Sequence, residues 1–198
     1  MKHARLFVGT FLQEPQCESI EVLKSFDENL AEFWGQRLRW VHRDKLHLTW
    51  CFIGEVGESS IGSIVSSLDS VFALARNPIE LSYCTPEIWP NARRPKQLVL
   101  SDRINGIEVQ TLARAVNIAA LPFLNRAETH EFVPHITLLR FKESGKRTGR
   151  SLVLPDWWPV HDILPMVQPI GECSLIRSYT NKVGKDAYER IHTWQLPG

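Results

Sequence analysis

The chain has 198 residues, of which 43% are hydrophobic and 23% are charged, and its formal net charge is +1. This composition is that of a globular protein, which excludes a disordered chain, and the near-neutral charge excludes a protein that coats long nucleic acids. No stretch reaches the ~18 apolar residues that a membrane-spanning helix needs, and residues 1–8 lack the apolar segment of a signal peptide, so we expect a cytoplasmic protein.

The spacing of apolar residues predicts strands that alternate with helices. Strands are predicted at 6–12, 39–41, 45–53, 79–83, 97–101 and 132–140, and helices at 16–34, 61–76 and 104–121. Residues 86–96 are predicted to be a basic, proline-containing loop, and residues 152–169 an irregular segment. Strands at 173–179 and 188–196 are expected to form a terminal hairpin. The strand-helix-strand order therefore occurs about twice.

The cysteines carry no recognisable metal or redox motif. Cys17, Cys51, Cys84 and Cys173 are scattered without any C-x-x-C spacing, which argues against a zinc, iron–sulfur or dithiol site. We therefore expect free thiols. Cys51 has the strand parity of His47 and Thr49, described below, so it could line the same cleft; a buried, unreactive thiol is the favoured interpretation.

Two predicted strands carry the same short pattern, a histidine and a threonine two positions apart. His47 and Thr49 form the first pair, and His135 and Thr137 form the second pair 88 residues later. Because side chains in a strand alternate between faces, each pair shares one face while its apolar neighbours point into a core. Two such strands lying side by side would present four polar groups to one cleft.

Two imidazoles that face one reacting atom can act as an acid and a base, because histidine titrates at a pKa of about 6.5. In-line displacement at phosphorus needs both, and a nearby threonine hydroxyl can donate to a non-bridging phosphate oxygen. This chemistry requires no metal. A single His-x-Thr is more often structural, but two copies in corresponding strands favour a shared functional role.

At these residues the chain resembles the 2H phosphoesterases and, among them, the bacterial and archaeal RNA 2′,3′-cyclic phosphodiesterases, historically called 2′-5′ RNA ligases. The resemblance rests on residues 5–8, 39–41, 46–56 and 132–140, and on Ser178 with residues 184–188. It implies an α+β, bilobal, pseudo-twofold fold, in which two small antiparallel sheets backed by helices enclose a cleft. The lobes would intertwine within one domain, residues 1–198. Trp50 departs from the family, which usually has an aliphatic residue there, and residues 92–100 lack its usual glycine-aromatic start.

The resemblance also implies roles for the site residues. His135 would be the base that activates water, and His47 the acid that protonates the leaving ribose 3′-oxygen, so that a 2′,3′-cyclic phosphate opens to a 2′-phosphate. With an RNA 5′-hydroxyl in place of water, the same groups would give a 2′-5′ linkage. Thr49, Thr137 and Arg140 would bind the phosphate. Arg140 follows His135 by five positions, so it shares the face of His135 only if the strand twists, bulges or ends between them.

Basic and aromatic residues are further candidates for contact with substrate. Phosphates are predicted to bind Arg93, Arg94 and Lys96, and Phe11 or Trp89 to stack a base. A second basic segment contains Lys142, Lys146, Arg147 and Arg150. We expect RNA ends or small cyclic nucleotides as ligands, no cofactor, no metal, no membrane partner and a monomer.

Two other interpretations are open. The first is a non-catalytic module on the same fold that binds RNA ends or nucleotides, although such a module has no need for two titrating groups. The second is a two-histidine metal site, which is disfavoured because no carboxylate accompanies either histidine at ligand spacing on its face.

Overall fold

The computed structural model describes residues 2–124, 131–142, 151–180 and 186–197. In this part of the chain the helices are α1 (Glu14–Lys24), α2 (Asp27–Trp34), α3 (Ile61–Leu74) and α4 (Ile107–Ala120). The strands are β1 (His3–Phe11), β2 (Arg37–Trp40), β3 (His47–Gly57), β4 (Glu80–Tyr83), β5 (Thr85–Trp89), β6 (Gln97–Ser101), β7 (His135–Lys142), β8 (Met166–Pro169), β9 (Glu172–Thr180) and β10 (Asp186–Gln195).

The large sheet consists of two antiparallel halves that meet at one point. Its strand order is β10-β9-β1-β3-β7-β6-β5, and β2 also pairs with β7. The two halves join where β3 meets β7, through the single residue pair Leu48 and Ile136. Strands β4 and β8 form a separate two-stranded sheet. The predicted α+β fold with two symmetry-related halves is confirmed, and the junction falls inside both His-x-Thr motifs.

Each motif strand carries an irregularity directly after its threonine. In the pairing of β3 with β1, Trp50 has no partner between Thr49 and Cys51. In the pairing of β7 with β6, Leu138 likewise has no partner directly after Thr137. An extra residue of this kind, a β-bulge, shifts the alternation of side chains by one position. The halves are therefore related in register as well as in strand order.

Helices cover the face of the sheet that is turned away from the motifs' polar side chains. The apolar residues of α4 that pack into the core include Val109, Leu112 and Val116, each less than 10% exposed. Asn117 on the same helix donates from Nδ2 to the backbone carbonyl of Trp50 at 3.1 Å. Helix α4 thus satisfies a carbonyl at the bulge in β3 and holds this irregularity in place.

Three predicted elements are wrong in part, and one of them is the irregular segment expected over 152–169, which ends in strand β8, paired with β4. The helix expected over 16–34 is broken between α1 and α2, where the hydroxyl of Ser25 donates to the carbonyl of Val22 at 2.7 Å and competes with continued helix. The loop expected over 86–96 begins with strand β5, which pairs with β6. Pro86 is tolerated there because β5 is an edge strand and needs no ladder bond from that nitrogen. Among the described residues, none of the helices combines the length and apolarity needed to cross a membrane.

Candidate active site

A cavity of about 740 Å³ lies over the junction of the two halves. It is lined by both predicted histidines and both predicted threonines, together with the second-motif arginine: His47, Thr49, His135, Thr137 and Arg140. The two motif strands run antiparallel and pair at their middle residues, so each motif contributes its polar face to the same space. The structure thus brings together all five residues proposed to act on the phosphate.

The bulge in β7 explains how Arg140 reaches the cavity. Leu138 and Leu139 are both fully buried in succession, and the next residue, Arg140, is exposed and lines the cavity. Without the bulge the alternation of a flat strand would turn Arg140 away from His135. Its guanidinium is oriented by Gln97, whose Oε1 accepts a hydrogen bond from Nη1 at 3.1 Å.

Both histidines are fixed in the same tautomer by the backbone. Nδ1 of His47 lies 2.6 Å from the carbonyl oxygen of Lys45, and Nδ1 of His135 lies 2.9 Å from that of Val133. A carbonyl oxygen can only accept, so Nδ1 is the donor in each ring. This leaves Nε2 of each imidazole as the atom that can accept or donate a proton in the cavity.

Burial lowers the pKa of both imidazoles. For His47, the charges of His135 and Arg140 lower the pKa further, and the hydrogen bond to the Lys45 carbonyl opposes them. For His135, the backbone hydrogen bond and the charge of Glu87 oppose the effects of burial and of Arg140. In the free cavity both rings therefore favour the neutral form at pH 7. A bound anion between them would favour uptake of one proton.

Aromatic rings hold the two imidazoles in place. The centroid of the Phe7 ring lies 4.9 Å from that of His47, and the Tyr188 centroid lies 5.3 Å from it. On the other side, the centroid of Trp89 lies 4.4 Å from that of His135. Trp89 was predicted to stack a base, and the structure places it against the imidazole, where it can position the ring.

Glu87 is a neighbour of His135 that the sequence did not reveal. Its carboxylate accepts hydrogen bonds from Nε and Nη2 of Arg103 at 2.9 and 2.6 Å, from Trp89 Nε1 at 3.2 Å, and from the hydroxyl of Ser101. Burial alone would raise the pKa of Glu87, but these hydrogen bonds outweigh burial and hold it at about 2. The carboxylate therefore stays charged, and its negative charge favours the protonated form of His135.

The other predicted contact residues lie outside the lining of this cavity. Arg93 and Arg94 line a separate pocket, and Lys96 is exposed on the same connection. Phe11 lines a pocket that shares Tyr188 with the central cavity. The role of these four residues in substrate binding stays a prediction. Of the second basic segment, Lys142 ends β7 and is exposed, whereas Lys146, Arg147 and Arg150 lie outside the described residues.

Three further cations line the cavity and had been given no role in the site. They are Arg5, Arg39 and Lys45, which join Arg140. Among the described residues that line the cavity none is acidic, so this space is electropositive although the net charge of the chain is only +1. Two of these cations fall in segments that carry the family resemblance, but nothing in their local sequence placed them at the motifs.

Solved structures share this fold over nearly the whole chain. LigT of E. coli matches over the whole of both chains with a TM-score of 0.74 and 21% identity. A protein of Thermus thermophilus matches over 97% of each chain with a TM-score of 0.70 and 23% identity. The chain therefore has the 2H phosphoesterase fold. LigT of E. coli is also known in complexes with 3′-AMP and with phosphate.

Sequence comparison agrees with this assignment. The RNA 2′,3′-cyclic phosphodiesterase of Aquifex aeolicus is 25% identical over 154 residues, which are 77% of this chain and 79% of that protein. No protein-family model matches the chain. The predicted resemblance to the 2H phosphoesterases is confirmed by this relative together with the shared fold.

Proposed function

We propose that this chain is a metal-independent RNA 2′,3′-cyclic phosphodiesterase that opens cyclic phosphate ends to 2′-phosphomonoesters. The observation that carries the proposal is the convergence of two imidazoles of like tautomer, His47 and His135, with two threonines and an arginine in one cavity. The relative in Aquifex aeolicus supports the reaction, and the complex of E. coli LigT with 3′-AMP supports a nucleotide as ligand.

Each imidazole carries out one of the two proton transfers. Nε2 of neutral His135 takes a proton from water as its oxygen attacks phosphorus, and Nε2 of protonated His47 gives a proton to the ribose 3′-oxygen as the P–O3′ bond breaks. The product is a 2′-phosphate with a free 3′-hydroxyl, and the two protons balance. With an RNA 5′-hydroxyl in place of water as the nucleophile, the same groups would form a 2′-5′ linkage.

The electrostatic surroundings of the two rings affect both proton transfers. A general base becomes an imidazolium, and the charge of Glu87 stabilises that form at His135. The pKa of His47 is lowered by burial first and by the charges of His135 and Arg140, so a protonated His47 gives up its proton readily. These effects act on both rings once they carry a proton, and the resemblance assigns His135 as the base and His47 as the acid.

Charge on the phosphate is met by protein groups. The hydroxyls of Thr49 and Thr137 flank the junction and can donate to the non-bridging oxygens, and the guanidinium of Arg140 supplies a positive charge. These groups stabilise the extra negative charge of the transition state, while the imidazoles move the protons. The proposed reaction thus needs no Lewis acid.

The proposal is tested by product analysis with adenosine 2′,3′-cyclic phosphate in the presence of a chelator. We expect adenosine 2′-phosphate as product, and loss of turnover in His47→Ala and in His135→Ala. Formation of the 3′-phosphate would contradict the assignment of the leaving oxygen. Tight binding without turnover by the unmutated protein would instead favour a nucleotide-binding module.

A cytoplasmic location is part of the same proposal. All four cysteines are free thiols, and three of them are buried. Free thiols persist in a reducing compartment, which supports this location.

A further inference from the structure

The charge of the cavity exceeds what a single cyclic phosphate requires. Four cationic side chains line it, whereas a cyclic phosphodiester carries one negative charge. We propose that Arg39, beside Arg140, forms a second phosphate-binding subsite, so that the preferred substrate carries at least two phosphate groups. This inference rests on the proposed function, because both phosphates would occupy the same cavity.

The register of β2 and β7 places two like charges directly side by side. Arg39 and Arg140 are partners across this antiparallel pair, and Cα atoms of such partners are about 4.5–5.5 Å apart. Like charges at directly opposed positions destabilise a sheet. Within the part of the chain that the structure describes, no carboxylate forms an ion pair with either arginine. A bound anion would offset this repulsion.

The two ends of the cavity differ in spite of the pseudo-twofold symmetry. Phe52 follows His47 by five positions, as Arg140 follows His135, and both line the cavity after a bulge. Because β3 and β7 are antiparallel, these residues mark opposite ends. One end carries two adjacent arginines, and the other carries Phe52 with the guanidinium of Arg5 over its ring at 5.1 Å. The arginine pair therefore marks the end that binds the additional phosphate.

The two arginines would serve different phosphates. Arg140 lines the cavity on the same strand as His135 and Thr137, so we assign it to the phosphate that is cleaved. Arg39 is exposed on the neighbouring strand and is left to bind the next phosphate. A guanidinium binds a phosphate through two parallel hydrogen bonds, which suits this role. In RNA the phosphate on the 5′ side of the terminal nucleoside is the nearest candidate.

A binding experiment tests the subsite without relying on turnover. Calorimetry would compare adenosine 2′-monophosphate with adenosine 2′,5′-bisphosphate. We expect the unmutated protein to bind the bisphosphate at least about 10-fold more tightly, and Arg39→Gln to lose most of that gain. Arg37→Gln is the matched control, because Arg37 lies on the same exposed face of β2 and is absent from the cavity lining.

Measurement of turnover with two substrates is the second part of the test. Arg39→Gln should lower kcat/KM for a dinucleotide with a 2′,3′-cyclic end at least about 10-fold more than it lowers kcat/KM for adenosine 2′,3′-cyclic phosphate. Equal affinity of the unmutated protein for the mono- and bisphosphate would overturn the subsite, and so would an equal loss for both substrates in Arg39→Gln. Absence of all turnover with the affinity difference intact would refute the proposed function and leave the subsite standing.

Discussion

The packing around His47 is tested most sharply at Gly9, where the lack of a side chain leaves room for neighbouring atoms. A Cβ added at Gly9 would lie 2.8 Å from the carbonyl oxygen of Leu48, and 3.0 and 3.2 Å from two atoms of the Phe7 ring. Leu48 is the middle residue of the first motif, and the Phe7 ring packs on the imidazole of His47. Gly9→Ala must therefore widen the spacing between β1 and β3 or displace Phe7.

The expected effects of Gly9→Ala on stability and on rate are both large enough to measure. Overpacking of a buried site costs about 1–3 kcal/mol of unfolding free energy, and a displacement of about 1 Å at a catalytic group costs up to about 100-fold in rate. Thermal unfolding and turnover of adenosine 2′,3′-cyclic phosphate would measure the two effects. Gly171→Ala is the control, because an added Cβ there meets no atom within 4 Å. Unchanged stability and kcat in Gly9→Ala would refute the reasoning.

Three further substitutions test separate parts of the site. Thr137→Val should lower kcat about 10- to 100-fold, measured by steady-state kinetics, because it removes a donor to the phosphate. Asn117→Leu should lower the unfolding free energy by about 1–3 kcal/mol, measured by denaturant titration, because the carbonyl of Trp50 loses its partner. Glu87→Gln should lower the pKa of His135 and move the acid limb of the kcat/KM profile to lower pH, because the carboxylate opposes the effect of burial.

Each of these predictions has a contradicting outcome. An unchanged kcat in Thr137→Val would show that this hydroxyl does not bind the phosphate. Thr85→Val is the control, because Thr85 lies outside the cavity lining. If Asn117→Leu has the same unfolding free energy as the unmutated protein, the bulge needs no support from α4. An acid limb that stays in place or moves to higher pH in Glu87→Gln would contradict the assignment of His135 as the base.

The paired motifs could be predicted from the sequence, but the bulges that complete the site could not. Strand parity placed each histidine and threonine on one face, and the structure agrees. The same parity placed Arg140 on the opposite face and Cys51 on the cavity face. Both predictions are wrong, because an unpaired residue directly after each threonine, Trp50 or Leu138, shifts the alternation of side chains by one position. A bulge depends on the partner strand, so periodicity within one strand does not reveal it.

The outer parts of the site depend on long-range pairing in the same way. Arg39 is adjacent to Arg140 only because β2 pairs with β7, across about 100 residues of sequence. Glu87 reaches His135 because residues predicted as loop form an edge strand beside β6. Cys51 is 2% exposed, so its favoured interpretation as a buried thiol is confirmed. Local pattern therefore predicts the chemistry at the centre, and tertiary pairing determines which charges surround it.

The claim on which the mechanism depends is that His47 and His135 act together on one phosphorus. It is tested most directly by comparing the turnover of adenosine 2′,3′-cyclic phosphate in His47→Ala, His135→Ala and the double variant. Residues that act as a unit are non-additive, so each single variant should be about as inactive as the double variant. Substantial activity in either single variant, with independent losses that multiply in the double variant, would contradict the account.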